Sequence, residues 1–493
     1  MTSRRVGSVL QRVSRAPVAA LLSAILPGLG HRYIGRRKIG DALLLGNLLI
    51  LWGLYLVATQ FQMTALRWLV TSRGLILLML ANVALLVYRA WVTSDAYSKA
   101  TMFKPGPSAM ISLGLAIVIL LVPHLFFGRL VLSQYDLITS VFAAPTEESP
   151  TVSTPEPGQT PGTGTTVPQP RIWDGVERLN ILLMGSDMRP DQESLERGDP
   201  AYRGHRIDSI TVVSINPQPP YDVAMFSVPR FLSNYPLPEG MGDGRRNNDW
   251  DWLGHLFRRA EDGGPAERAL YPGPDSPGIN AMKGALGELF GIPIHYYAMV
   301  TVGGFVGLVD ALGGIEIDVP RTIIDRNYDF ANRHADADRG EVRIEQGRQK
   351  LDGFHALAYA RIRSQSGEFA RMHRQRCVLG ALVEQANPVN LLRGFGDLVE
   401  TLKQYVRTDI PQDRLVDFVE LLPNLSTDNF STLRITLDYE IDAPPGNIRW
   451  FDIDQIREDA QFLMRDPVAA REALGLDDLD ATCDQTFDPV QEP

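Results

Sequence analysis

Between residues 356 and 376, in ALAYARIRSQSGEFARMHRQR, the chain places Arg361, Arg363, Arg371, Arg374 and Arg376 and no lysine. The 493-residue chain as a whole is acidic, with a formal net charge of −10, so the cluster is not a sample of a generally basic protein. A guanidinium group holds several N–H donors in a rigid plane and pairs with phosphate oxygens two at a time; lysine offers only a point charge. A helix starting near residue 368 puts Arg371 and Arg374 one turn apart and Gln375 at the i+4 position from Arg371. Three planar polar side chains then share one face, with Arg361 and Arg363 at the exit of the preceding helix. The pattern fits a bound phosphate or pyrophosphate. By itself it fits equally well a solvated helix face carrying surface ion pairs.

Two carboxylates supply the complement. LLMGSDMR ends on Asp187 directly after a small-residue turn, and RIDS opens the next strand with Arg206 and Asp208. Carboxylates at the ends of neighbouring strands can share a hard divalent cation that keeps several waters, Mg²⁺ or alternatively Mn²⁺. Alone the pair is also ordinary turn chemistry. With the arginines, and with Arg230 at the end of the third strand as a further donor, it outlines a site for a metal ion and a pyrophosphate. Competing signatures are missing from the sequence: no GxxxxGK[ST] loop, no HExxH, no GxSxG and no CxxC. His205, His355 and His373 lie in the region as single histidines, which are more often structural than catalytic. The acidity of this part of the chain disfavours nucleic acid.

Strands interspersed with helices must position these groups. RLNILLMGS is a nearly continuous apolar run, as a strand covered on both faces would be. DSITVVSINP and DVAMFSVPR follow as strands around a PQPPYD turn. GINAMKGALGELFG, residues 278–291, has helical periodicity and stops at Gly291. HYYAMVTV reads as a strand, GFVGLVDALGG as an apolar helix and IEIDVP as another strand. Helices are expected at 352–361 and 368–387. The fold class is therefore α/β, a layered sheet with helices on its faces. The region from about 390 onward is less legible, apart from a helix in DIPQDRLVDFVELLPNL and a mobile acidic tail after 470.

The front of the chain is a different object. Residues 1–108 carry thirteen Lys or Arg against Asp41 and Asp95, a balance of +11 that leaves −21 for the rest. Residues 42–60, 74–92 and 109–132 are each close to the roughly 20 apolar residues a spanning helix needs. The apolar segment at 17–30 is short, ends at Pro27 and reads as interfacial or re-entrant. The basic flanks belong in the cytoplasm by the positive-inside bias, so three spans export everything past residue 133. The expected layout is a basic N-terminus over 1–40, a membrane region over 41–133 and a Pro/Thr/Gly-rich tether over 144–171. A catalytic domain over 172–390 and a C-terminal extension over 391–493 complete it. The localisation is then a multi-pass cell-membrane protein with its C-terminal domain extracytoplasmic. Cys377 and Cys483 pair in that compartment if the fold brings them together, and otherwise are two free thiols.

An ordered set of segments resembles the LytR-CpsA-Psr family of bacterial envelope proteins: NILLMGSDMR, RIDSITVVSINP, MFSVPR, GIPIHYYAMVTVGGFVGLVDALGGIEIDVP and GRQKLDGFHALAYARIRSQSGEFARMHRQR. The likeness covers about residues 178–390. It implies a membrane-anchored α-β-α domain that moves a glycopolymer from a polyprenyl-pyrophosphate carrier to peptidoglycan or a related wall polymer. It places metal ligands on Asp187 and Asp208. Pyrophosphate contacts fall on Arg206, Arg230, Arg361, Arg363 and Arg371, with Gln375 beside them and Arg374 on the same helix. An apolar slot for the lipid has Ile279, Met282, Leu286, Leu289, Phe305, Leu308, Val309 and Leu312 as candidates, each of which could equally be core.

Three positions depart from the family pattern. Phe231 stands where an Asp usually follows the third strand's Pro-Arg, Glu368 replaces the commoner Asp, and Arg246–Asn248 stands for a Lys-Ile-Asn segment beside an unusual DWDW. Two other functions use the same residues: hydrolysis of lipid pyrophosphates, and non-catalytic binding of them by an envelope regulator.

Overall fold

The computed structural model describes residues 15–100, 107–142, 171–187, 206–242, 252–328, 340–363, 367–385, 399, 402–421, 424–425, 429–443 and 449–476. The chain divides into two compact units, Met1–Thr139 and Ser140–Pro493. The expected tether falls outside the described residues.

The first unit is helical: α1 (Arg15–Ile25), α2 (Leu29–Tyr33), α3 (Arg37–Gln60), α4 (Gln62–Leu69), α5 (Ser72–Ala100) and α6 (Pro107–Val141). Three of these, α3, α5 and α6, contain stretches long and apolar enough to cross a membrane, and each contains one of the apolar runs read from the sequence. The 11 residues of α1 rise only about 17 Å at 1.5 Å per residue, well short of a bilayer core. The chain reverses at Gly28, whose φ of 108° favours glycine. At Gly30 a Cβ would lie 2.0 Å from the Ala19 carbonyl oxygen, so only glycine lets α2 lie against α1. Polar pairs join segments far apart in sequence: His31 Nε2 to Asp95 Oδ2 at 2.9 Å, and His124 Nδ1 to Asn82 Oδ1 at 2.7 Å.

The second unit is built on β1 (Leu179–Ser186), β2 (Ile207–Ile215), β3 (Val223–Val228), β4 (Tyr296–Thr301), and two short strands described below. Between them run α7 (Leu253–Asp262), α8 (Pro265–Arg268) and α9 (Pro277–Phe290). After β4 come α10 (Val302–Ala311), β5 (Ile315–Val319), β6 (Ile323–Tyr328), β7 (Gly340–Ile344), β8 (Gly347–Leu351), α11 (Gly353–Arg361) and α12 (Gly367–Gln385). The chain closes with β9 (Val406–Thr408), α13 (Leu415–Leu421), β10 (Phe430–Arg434), β11 (Glu440–Ile441), β12 (Trp450–Phe451), α14 (Ile453–Arg465) and α15 (Pro467–Leu474).

Six strands form one mixed sheet in the order β10-β3-β2-β1-β4-β9. The β1–β4 and β3–β10 pairs are parallel, and β1–β2, β2–β3 and β4–β9 are antiparallel. Alternate residues point to opposite faces of such a sheet. Leu182, Met184, Ile210, Val212, Ala224 and Phe226 join one core with α7, α9 and α14. Leu179, Ile181, Val223 and Met225 join a second core with Trp173 and Leu421. A third core unites the antiparallel β5–β8 and β6–β7 pairs with α11 and α12. The layered α/β sheet with helices on its faces is thus as expected, and the structure adds that its strand pairing is mixed. Its C-terminal edge was not anticipated: β10 comes from residues two hundred positions after β3. The tail was also expected to be mobile from 470, whereas α15 runs to Leu474 with Ala470 fully buried.

Candidate functional site

A cavity of about 280 Å³ lies between the second face of the sheet and the layer made by α10, α11 and α12. Its floor is Leu183, Gly185, Ser209, Thr211, Ala298 and Val300, the alternate residues that the opposite core does not use. Phe305 and Leu308 of α10, Leu357 and Ala360 of α11, and Val378, Leu379 and Leu382 of α12 form the apolar wall. Asp187, Asp208, Arg361, Arg371 and Gln375 line the same cavity. The lining therefore joins a greasy slot to a cluster of charged groups.

The ends of β1, β2 and β3 set these charges. The β1–β2 ladder shifts register between Gly185 and Ser186 and closes with Ser186 opposite Ile207. Beyond it the Asp187 N–H donates to the Arg206 carbonyl at 3.1 Å. In return Asp187 accepts from the Arg206 backbone N–H at 2.9 Å and from its Nε at 3.0 Å. On β2, Asp208 Oδ1 accepts from the Arg230 guanidinium, and the Asp208 carbonyl oxygen accepts from Arg371 at 3.1 Å. Burial alone would raise the Asp208 carboxyl's pKa. The guanidiniums of Arg230, Arg371 and Arg361 outweigh it and hold the pKa below the usual carboxylate range. Asp208 is thus a poor general base and a good fixed anion.

Asp187 and Asp208 face one cavity, as a shared cation would require. Among the described residues no group of three or more His, Cys, Asp or Glu side chains is gathered as a metal site. A hard cation here would take its remaining oxygens from water and phosphate, the coordination Mg²⁺ accepts readily. The donor set fits that ion and does not suit a soft one.

The expected arginines separate into different roles. Arg371, 3% exposed, Arg361 and Gln375 line the main cavity, and Arg230 lines a smaller adjoining one of about 50 Å³ with Arg371 and Ser227. Arg206 is half exposed and spans Asp187 from outside, while Arg363 is exposed; neither is among the cavity-lining residues. Arg374 does not share a face with Arg371 as anticipated. It is buried and donates from Nε to the Tyr359 carbonyl at 2.7 Å and from Nη2 to the Ile362 carbonyl. Gln375 Nε2 reaches the Ala360 carbonyl at 3.3 Å. Carbonyls in the last turn of a helix lack intrahelical partners, so these two side chains of α12 close the C-terminus of α11 and fix the segment that carries Arg361. Burial lowers the Arg374 pKa to about 10, which leaves it charged at neutral pH.

The proposed lipid-slot residues also divide. Phe305 and Leu308 line the cavity. Ile279, Met282, Leu286 and Leu289 lie in the core on the other face of the sheet, because α9 packs there against Phe226 and α7. Val309 belongs to the core of the β5–β8 and β6–β7 pairs and Leu312 is buried; neither lines the cavity. The residues that sequence reading missed are Leu357, Val378, Leu379 and Leu382. A signal for the last three was present: Arg371, Gln375, Val378/Leu379 and Leu382 recur at helical spacing, so the polar stripe of α12 continues as an apolar one.

Phe231, in the place of the family acid, packs edge-on against Phe369 at 5.7 Å between ring centroids, and the Arg449 guanidinium lies over the Phe231 ring, 5.1 Å from its centroid. An aromatic contact thereby joins the residue after Arg230 to the helix start that carries Arg371. Cys377 is buried and disulfide-bonded, and Cys483 lies outside the described residues. His205, Arg246–Asn248 and the side chain of Glu368 lie outside them as well. His355 is exposed beside Asp352 and His373 is buried on α12; neither lines the main cavity.

The sequence profile of the LytR_cpsA_psr family matches residues 159–460. A curated relative, the polyisoprenyl-teichoic acid–peptidoglycan teichoic acid transferase TagU of Bacillus cereus (strain AH820), is 27% identical over 243 residues, 49% of this chain and 63% of the relative. The enzyme of the same name from Halalkalibacterium halodurans is 26% identical over 237 residues, 48% of this chain and 62% of the relative. The chain thus spans less than two thirds of the length of these relatives. Among solved structures, B. subtilis TagV aligns with a TM-score of 0.41 at 21% identity over 59% of this chain and 98% of that one. TagT bound to LI-WTA aligns with a TM-score of 0.38 at 19% identity, covering 61% and 91%.

Proposed function

We propose, from the premise that the chain belongs to the LytR-CpsA-Psr family, that it is a membrane-anchored phosphotransferase. It moves a glycopolymer from a polyprenyl-pyrophosphate carrier to peptidoglycan or a related wall polymer. One observation carries the reading: a single cavity has an apolar wall from Phe305 to Leu382 and the charged groups Arg361, Arg371, Asp187 and Asp208 in the same lining. A polyprenyl pyrophosphate has the same two-part chemistry. The relatives' names, which specify a polyisoprenyl-linked donor and a peptidoglycan acceptor, support it.

In this reading Leu308, Leu357, Leu379 and Leu382 exclude water from the lipid chain. Arg361, Arg371 and Gln375 hold the non-bridging oxygens, whose charge must be neutralised before a phosphoryl group can transfer. Asp187 and Asp208 would hold Mg²⁺, or Mn²⁺ in its place, which supplies further charge neutralisation. A hydroxyl of the acceptor sugar forms a new O–P bond to the phosphorus that bears the glycan. The bond from that phosphorus to the bridging oxygen breaks, its electron pair leaves with polyprenyl phosphate, and the hydroxyl proton passes to solvent. Arg230 keeps Asp208 anionic throughout. The basic flanks of the apolar helices support cytoplasmic loops and an extracytoplasmic catalytic unit.

The test uses the full-length chain in detergent with Mg²⁺, a polyprenyl-pyrophosphate oligosaccharide and soluble peptidoglycan strands, with both polymers followed by mass spectrometry. Joined oligosaccharide phosphate, reduced about 10²–10³-fold by Arg371→Ala, is the expected result. Lipid phosphate released without a joined product would replace the reading with hydrolysis. Binding with no product would make the protein a regulator.

A further inference from the structure

An aromatic pair at the edge of the site has no part in the chemistry above. The Trp252 indole and the His255 imidazole lie 5.7 Å apart between ring centroids and 15° from parallel, and both are only half-buried. Their position is fixed by backbone. The Leu253 N–H donates to the Leu232 carbonyl at 2.9 Å, and the Gly254 N–H donates to the Arg230 carbonyl at 2.8 Å. A Cβ at Gly254 would lie 2.7 Å from the Ile207 carbonyl oxygen and 3.0 Å from Arg230 Cβ, so glycine is what permits this approach. The start of α7 is thereby pinned to Arg230 and to the residue before Asp208. Leu253, Leu256 and Phe257 anchor α7 in the core on the face of the sheet away from the lipid cavity.

We propose that Trp252, backed by His255, is the platform on which the first sugar of the carried glycan rests. The inference depends on the phosphotransferase reading. If the lipid occupies the slot on one face and the pyrophosphate sits at the strand ends, the sugars must leave past those ends. Trp252 stands there, beside Arg230 and on the side opposite the lipid. A pyranose turns a face of weakly positive C–H groups toward a ring, and the negative face of an indole attracts that polarity. His255 stacked beneath keeps the indole in one orientation, so little side-chain entropy is lost when a sugar docks. The ligand class is therefore a hexopyranose linked through its anomeric oxygen to phosphate.

The experiment compares two probes of equal chain length with the full-length protein in detergent: polyprenyl pyrophosphate, and the same lipid carrying an N-acetylhexosamine disaccharide. Dissociation constants are measured for the unmodified protein, Trp252→Ala and Trp252→Phe. The expected unmodified protein prefers the glycosylated probe by about tenfold, roughly the scale of one aromatic contact. Trp252→Ala loses that preference and keeps its affinity for the bare lipid within about twofold, and Trp252→Phe retains most of the preference. A preference that survives Trp252→Ala overturns the platform, as does an equal loss of both affinities, which marks a structural role. Unmodified protein that binds both probes equally sinks the platform alone. Failure to bind either sinks the phosphotransferase reading with it.

Discussion

The two faces of the central sheet are both covered by helices and yet end as different materials. On one face Leu286, Leu289 and Met282 of α9 meet Phe226 and Met184, and all five are at most 3% exposed. On the other face α12 stands over Gly185, Ser209 and Thr211, small side chains that leave a cavity of about 280 Å³. The difference lies in the strands. Where the cavity lies, Met184, Ile210, Val212 and Met299 point toward α9 while Gly185, Ser209, Thr211 and Ala298 point into the cavity, and a packed interior tolerates no gap of that size unless something fills it. One face therefore secures the fold, and the other keeps room for a ligand.

Substitutions can break this contrast in graded ways. The largest effect is expected from Leu286→Ala, which should lower unfolding free energy by about 2–5 kcal/mol in a denaturant titration and leave lipid affinity unchanged. An unchanged denaturation midpoint would mean that the α9 face is not the closed core described. Arg374→Ala should cost about 1–3 kcal/mol by leaving the Tyr359 and Ile362 carbonyls without their donor. It should also lower turnover more than Arg374→Lys does, because Arg361 loses its fixed seat. Equal turnover in the two variants would show that the clamp does not position the site. Leu382→Trp narrows the cavity and should weaken polyprenyl pyrophosphate binding by about tenfold at nearly constant stability, as isothermal titration would show.

The smallest effect is electrostatic. The native Asp208 pKa lies below its unfolded value, so its contribution to stability is complete above the ordinary carboxylate range near 3.9. That contribution is lost as pH falls through the depressed native value. Asp208→Asn should flatten the acid limb of a stability-versus-pH curve below about pH 4. A curve identical to that of the unmodified protein would mean Asp208 is not held by the arginines.

The charged half of the site was legible because its side chains are rare in their setting. An arginine-only cluster in an acidic chain, and aspartates at the ends of two apolar runs, stand out without a structure. The apolar half was not. Leu286 and Leu379 carry the same side chain at the same helical periodicity, and which face of the sheet each helix covers is decided by chain crossovers that periodicity does not encode. The role of Arg374 was hidden for a related reason. Its spacing from Arg371 matched a shared face, yet its partners are the carbonyls of Tyr359 and Ile362, supplied by a neighbouring helix. The edge strand β10 was missed because its five residues, FSTLR, offer little apolar signal and pair with a strand distant in sequence.

The most direct test of the account is photo-crosslinking of the full-length protein with a polyprenyl pyrophosphate that bears a diazirine near the middle of its lipid chain, followed by peptide mapping. The expected attachment sites are Phe305 and Leu308 of α10 and Leu379 and Leu382 of α12, lost on competition with unlabelled lipid. Attachment to α9, at Met282 or Leu286, would contradict the assignment of the two faces and with it the cavity as the lipid site.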